Sequence, residues 1–202
     1  MKKKIVAILA GFLLLFASNE AFAYGDVFKV GVKAGPNFMS FSQFEKGGDF
    51  AMMKSPRTGY TAGVAFSFML PVPGMSIQPE LHYVSKGAGF KGEGDFNLYN
   101  DYIEMPINIQ AGLDLIFLRP FIMISPYIGY AVNRGDVTLP WENMNRFEYG
   151  IGVGAGLDIW KFQIQVSYRW NLGALLKEVP EGYPTLKQGN YRGVDLSLVI
   201  FF

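Results

Sequence analysis

The chain has no cysteine and a single histidine. The missing cysteines exclude a disulfide framework and any cysteine-based metal scaffold. Charge is scarce as well: Asp, Glu, Lys and Arg make up 17% of 202 residues, against about 25% in soluble domains. Eighteen basic side chains offset seventeen acidic ones, so there is no electrostatic footprint for nucleic acid. Half of the chain is nevertheless hydrophobic, with 18 Phe and 11 Tyr. A disordered chain is excluded, and the apolar surface must meet either a large core or a lipid bilayer.

Long apolar runs are also missing. After residue 23 nothing approaches the roughly 18 consecutive apolar residues of a membrane-spanning helix, and no stretch sustains helical i, i+3, i+4, i+7 spacing. The first 23 residues combine Lys2, Lys3 and Lys4, an apolar stretch over 5–16, and Ala21-Phe22-Ala23. A positive start, a short apolar core and a small-x-small ending describe a secretory signal peptide. The expectation is a cleaved leader over 1–23, export through the Sec route, and a single mature domain over 24–202. No cysteine follows the cleavage motif, so lipid attachment at that point is excluded.

Alternation with period two is what the mature chain does have. Over 147–160, Phe147, Tyr149, Ile151, Val153, Ala155, Leu157 and Ile159 share one face, while Glu148, Gly150, Gly152, Gly154, Gly156 and Asp158 share the other. The same rule holds over 28–38, 60–70, 76–86, 102–111, 121–133, 162–170 and 193–202. Eight strands result, near the length a tilted strand needs to cross a bilayer. None of the apolar-face positions carries a charge. The connections alternate between long (40–57, 87–101, 134–146, 171–190) and short (71–75, 112–120, 160–161), which is the rhythm of an up-and-down barrel with both termini in the periplasm.

A soluble β-sandwich would place its polar faces outward, whereas here the uncharged faces are the apolar ones. The predicted fold is therefore an all-β, eight-stranded antiparallel up-and-down transmembrane β-barrel in the outer membrane of a Gram-negative bacterium, in contact with outer-membrane lipid. Aromatic girdles are expected from Phe28, Phe121, Trp160 and Phe202 at one end, and from Tyr60, Tyr102, Tyr130, Tyr149, Tyr168 and Trp170 toward the other. Pro79, Pro106 and Pro126 fall inside strands, where each removes a ladder donor, so local bulges are expected there.

The polar faces then line the lumen. They carry Lys29, Lys33, Lys86 and Arg169 against Glu80, Glu104, Glu148, Asp158 and Asp195, with His82 two residues from Glu80. Charges inside a narrow barrel must be paired or hydrated. A packed ion-pair and hydrogen-bond plug is the expected arrangement, because porin-sized channels need roughly twice as many strands. A narrow porin-like channel is the alternative, and a lipid-modifying enzyme built on His82 and Ser85 is weaker still because the two residues have opposite parity. The protein is therefore expected to be non-enzymatic.

Gly150-x-Gly152-x-x-Ala155 formally fits a dinucleotide fingerprint, but that motif needs a following helix. The glycines all lie on one strand face, where they make room for long side chains opposite, and no cofactor is expected. Arg134-Gly135-Asp136 spells an adhesion tripeptide in an expected surface loop, but Arg, Gly and Asp are common loop residues and the match is read as chance.

Several short stretches resemble the PorT-like outer-membrane β-barrel family. These are Gly31-Val32-Lys33-Ala34-Gly35-Pro36-Asn37-Phe38, Gln78-Pro79-Glu80-Leu81-His82-Tyr83 with Lys86-Gly87, Tyr102-Ile103-Glu104-Met105-Pro106-Ile107, Pro126-Tyr127-Ile128-Gly129-Tyr130, and the terminal Phe202. The resemblance implies a small barrel acting as a scaffold or binding protein through its surface loops, in partnership with an envelope or secretion assembly. It also implies that Phe202, as the aromatic end of the last strand, is the assembly signal read by the barrel insertion machinery.

Overall fold

The computed structural model describes residues 27–43, 53–91, 96–134, 145–173 and 189–202. The signal peptide expected over 1–23 lies outside the described residues. Among those residues the chain forms eight strands: β1 Phe28–Gln43, β2 Met53–Met69, β3 Met75–Lys91, β4 Phe96–Gly112, β5 Arg119–Arg134, β6 Phe147–Ile159, β7 Phe162–Asn171 and β8 Gly189–Phe201. Each pairs antiparallel with the next, and β8 returns to β1 to close the barrel. Closure removes every free strand edge, which is the condition for a sheet to lie in hydrocarbon.

The stagger of the barrel follows from the register. A row of partners runs from Phe28 through Phe68, Ile77, Ile109, Ile124, Val153, Tyr168 and Val194, and returns to β1 at Phe38, ten residues further on. With ~3.3 Å per residue and ~4.8 Å between strands, a stagger of ten over eight strands tilts them by about 40°. The row is apolar throughout, because the same parity that aligns the strands turns one face of each toward lipid. Ile103, Met105, Ile107 and Ile109 of β4 and Ile122, Ile124 and Ile128 of β5 are all exposed, as the apolar belt requires.

The strands extend further than the alternation predicts. β1 continues to Gln43, β3 to Lys91, and β2 and β4 begin at Met53 and Phe96, so the connections expected over 40–57 and 87–101 shrink to 44–52 and 92–95. Beyond the bilayer no lipid demands an apolar face, and the period-two signal fades while the backbone ladder continues.

The three strand prolines do not produce the expected bulges. At Pro79, Pro106 and Pro126 pairing is interrupted with one neighbouring strand and resumes in the same register, while the proline itself stays paired with the other neighbour. Each proline lacks one N–H, which serves only one side of the ladder. Register shifts occur elsewhere, between Pro56 and Tyr60 and at Asp101/Tyr102. At the second, Asp101 faces Asn133 but Tyr102 faces Ala131, so Val132 is the extra residue. One inserted residue flips the parity beyond it. Asn133, expected in the lumen, is therefore exposed, and its Nδ2 donates to Asp101 Oδ2 at 2.8 Å beside the Tyr83 hydroxyl at 2.7 Å.

Two of the expected girdle aromatics are also corrected. Tyr102 and Phe121 are buried in the lumen, because Tyr102 shares the parity of Glu104 and Phe121 that of Met123 and Tyr127. Phe28, Tyr60, Tyr130, Tyr149 and Trp160 are exposed on the outside as expected. At the terminus end, Gly74 takes φ 75° in the β2–β3 turn, where an added Cβ would stand 2.1 Å from the Gly112 carbonyl oxygen. Only glycine fits both constraints.

Candidate functional site

The lumen is built from the polar parity of all eight strands, and its side chains join into clusters along the axis. In the middle, Lys33 of β1 donates to Glu80 Oε2 of β3 and to Gln165 Oε1 of β7, both at 2.8 Å. His82 Nε2 lies 2.7 Å from the same Glu80 oxygen. Gln78 donates to Glu80 Oε1 at 2.6 Å and to Gln163 Oε1 at 2.9 Å. Since β3 and β7 are four strands apart in an eight-stranded closure, the Gln78–Gln163 bond spans opposite walls of the bore.

A second cluster lies toward the long-loop end. Lys86 pairs with Glu104 and, at 2.6 Å, with Glu148 Oε1, while Arg169 Nη2 donates to Glu104 Oε2 at 2.5 Å. Asn171 Nδ2 donates to the other Glu148 oxygen at 2.6 Å. Lys86 Nζ sits 4.8 Å from the Tyr102 ring centroid and the Arg169 guanidinium 4.1 Å from that of Tyr127, within the range of cation–π attraction. Glu104 and Glu148 both flank Gly129 in the ladder. A Cβ there would stand 2.9 to 3.0 Å from their side chains, so the glycine is what lets the two carboxylates converge on Lys86. Two cations and two carboxylates balance locally, as buried charges must.

Asp195 of β8 accepts from Thr61 Oγ1 of β2 at 2.8 Å and from Ser197 Oγ at 3.1 Å. At the terminus end Arg119 donates to Asp158 Oδ2 at 2.9 Å, Ser76 Oγ at 3.0 Å and the Gly74 carbonyl at 2.8 Å. Gln163 donates to the other Asp158 oxygen at 2.7 Å. A cavity of about 190 Å³ opens there, lined in part by Lys29, Arg119, Asp158 and Trp160.

Of the residues singled out from the sequence, Lys33, Glu80 and His82 come together, as do Lys86, Glu104 and Arg169. Lys29 and Asp158 stand apart from both groups at the terminus-end mouth. Arg119 falls within the connection expected over 112–120, yet it is buried in the lumen. The signal was present: Arg119, Phe121 and Met123 alternate with Pro120, Ile122 and Ile124, extending β5 by two residues.

The glycines of β6 lie beneath the large side chains of β5: Gly150, Gly154 and Gly156 pair with Tyr127, Met123 and Phe121. No helix follows them, so the dinucleotide fingerprint has no structural counterpart. Ser85 shares the outward parity of Tyr83, while His82 is buried inside. Among the described residues no three His, Asp or Glu side chains converge to hold a metal ion. Gly135 and Asp136 of the adhesion tripeptide lie outside the described residues.

A closed barrel with an apolar outer belt and a polar, cross-braced lumen defines an integral outer-membrane protein. Residues 16–177 match the family model of the outer membrane protein beta-barrel domain, and the chain belongs to that family. Among solved structures, Neisserial surface protein A is similar at 12% identity and a TM-score of 0.47, over 88% of this chain and 98% of that one. OprG from Pseudomonas aeruginosa is similar at 10% identity and a TM-score of 0.49, over 86% and 91%. Ail of Yersinia pestis, solved with the heparin analogue sucrose octasulfate, shows 12% identity and a TM-score of 0.44, over 88% and 100%. No curated protein matches the chain.

Proposed function

We propose that the protein is a non-conducting, non-enzymatic outer-membrane barrel that acts as a scaffold or binding protein through its surface loops, within an envelope or secretion assembly. The observation that carries this reading is the bracing of the lumen: Gln78–Gln163 links opposite walls, and Lys33, Lys86 and Arg169 each bridge strands that are not neighbours. A bore closed by buried ion pairs leaves the rims and loops as the surfaces available to a partner. The finer likeness to the PorT-like family supports the secretion reading, since a member of that family takes part in protein secretion across the outer membrane.

The purified protein in planar bilayers is expected to pass no steady ion current. Lys33→Ala, which removes the cation held between Glu80 and Gln165, is expected to open a leak. Well-defined channels from the unmodified protein would make the narrow channel the better reading. Pull-down from detergent-extracted outer membranes is expected to recover a stable envelope partner.

Phe202 is the proposed assembly signal. Its N–H donates to the Val30 carbonyl at 2.9 Å, which extends the β8–β1 pairing to the end of the chain. Recognition by the insertion machinery would follow the logic of β-augmentation, in which a strand edge pairs by backbone and alternate side chains confer specificity. Deleting Phe202 removes one aromatic burial of about 1.5 to 3 kcal/mol, too little to unfold a closed barrel. The deletion is therefore expected to lower the amount inserted in cells while leaving micelle-refolded protein intact. Normal outer-membrane levels would place the signal elsewhere.

A further inference from the structure

The apolar surface does not stop where the membrane belt should end. At the terminus end the β4–β5 hairpin continues past its last ladder pair: Leu113 N–H donates to the Pro120 carbonyl and Leu115 N–H to the Leu118 carbonyl, each at 3.0 Å. At ~3.3 Å per residue the arm reaches roughly 10 Å beyond Gly112. Its tip is Ile116 and Phe117, 87% and 82% exposed, with Leu113 at 69%.

The tip is held firmly. Gly112 N–H donates to the Gly74 carbonyl at 2.7 Å, joining this hairpin to the β2–β3 turn, where Val72 is exposed between Pro71 and Pro73. Asp114 is the one charged residue of 113–118; it stays exposed, and its carboxylate is tied to the barrel end, Oδ2 accepting from Gly74 N–H at 3.2 Å and Oδ1 lying 3.3 Å from Arg119 Nε. Beside it, Leu113, Leu115, Ile116 and Phe117 put four large apolar side chains outward on a braced turn.

Continuity identifies the occupant. Ile103, Met105, Ile107, Ile109, Ala111, Leu113 and Leu115 form one exposed row down the outer face of β4, from the middle of the lipid belt to the tip. No polar side chain interrupts it. A docking site for a periplasmic protein would be separated from the lipid belt by a polar rim, and this surface has none along β4. We propose that the 113–118 hairpin is an inner-leaflet anchor whose Ile116 and Phe117 side chains enter the boundary between lipid headgroups and acyl chains.

The absence of native cysteine makes a clean test. Phe117→Cys, and separately Ile116→Cys, would be labelled with an environment-sensitive fluorophore. Each labelled full-length mature chain would be reconstituted into phosphatidylethanolamine–phosphatidylglycerol vesicles with no other protein, and folding checked by a boiling-dependent gel shift. The expected result is blue-shifted emission, quenching by lipids brominated near the headgroup end of their chains, and iodide quenching several-fold weaker than for the same labelled chain in urea, with iodide on both sides of the membrane. Emission and iodide quenching equal to those of the unfolded chain would show the tip in water, as a periplasmic protein's docking site would be, and would overturn the proposal. Either variant that folds suffices for the reading.

Discussion

Glu104→Gln is expected to destabilise the barrel by about 3 to 5 kcal/mol, the usual consequence of removing one partner from a buried ion pair. Glu104 is wholly buried and is the carboxylate shared by Lys86 and Arg169. Its neutral isostere fills the same space over Gly129 but leaves two cations facing Glu148 alone. Lys86 keeps its contact with Glu148 at 2.6 Å, whereas Arg169 loses its only ion pair among the described residues. Urea unfolding of the refolded protein in a fixed detergent would read the loss. A double variant, Glu104→Gln with Arg169→Met, removes the stranded charge as well and should recover much of the stability. Non-additivity of this kind is the mark of direct coupling. If the single variant unfolds at the same urea concentration as the parent, the cluster is hydrated rather than packed and the plug reading fails.

The second large effect separates four glycines that look equivalent in the sequence. Gly150→Ala would put a Cβ 2.2 Å from the Trp170 carbonyl oxygen and 2.5 Å from the Tyr127 ring, and Gly156→Ala would put one 2.3 Å from the Phe121 ring and 2.5 Å from the Ile164 carbonyl oxygen. Backbone stands in the way in both cases, so a rotamer change cannot relieve the clash. Each substitution is expected to cost about 1 to 3 kcal/mol or more by overpacking, and to remove most of the heat-modifiable, inserted protein. Gly152 differs, since a Cβ there meets nothing closer than 3.4 Å. Gly152→Ala should insert normally and gain about 0.5 to 1 kcal/mol from reduced backbone freedom in the unfolded chain. Equal behaviour of Gly150→Ala and Gly152→Ala on gels before and after boiling would refute the assignment of Tyr127 to the space above Gly150.

Local sequence determined which way most side chains face. Period-two alternation is set by the pleat and by the difference between lipid and lumen, and both act residue by residue. Lys33, Glu80, His82, Lys86, Glu104 and Arg169 could therefore be assigned to the interior without knowing any long-range contact. Where the alternation is reset by one extra residue, as at Val132, the local signal misleads and Asn133 falls on the wrong side. Where lipid stops selecting, as beyond residues 87 and 101, the pattern fades although pairing continues. Only the closed structure decided who meets whom. Lys86 finds Glu148 across 62 residues of sequence, and Gln78 finds Gln163 across 85. Those meetings follow from the ten-residue stagger of the closed ladder, a sum over eight strand registers that no single strand contains. The difference between Gly150 and Gly152 has the same origin, because the space above a glycine belongs to the neighbouring strands.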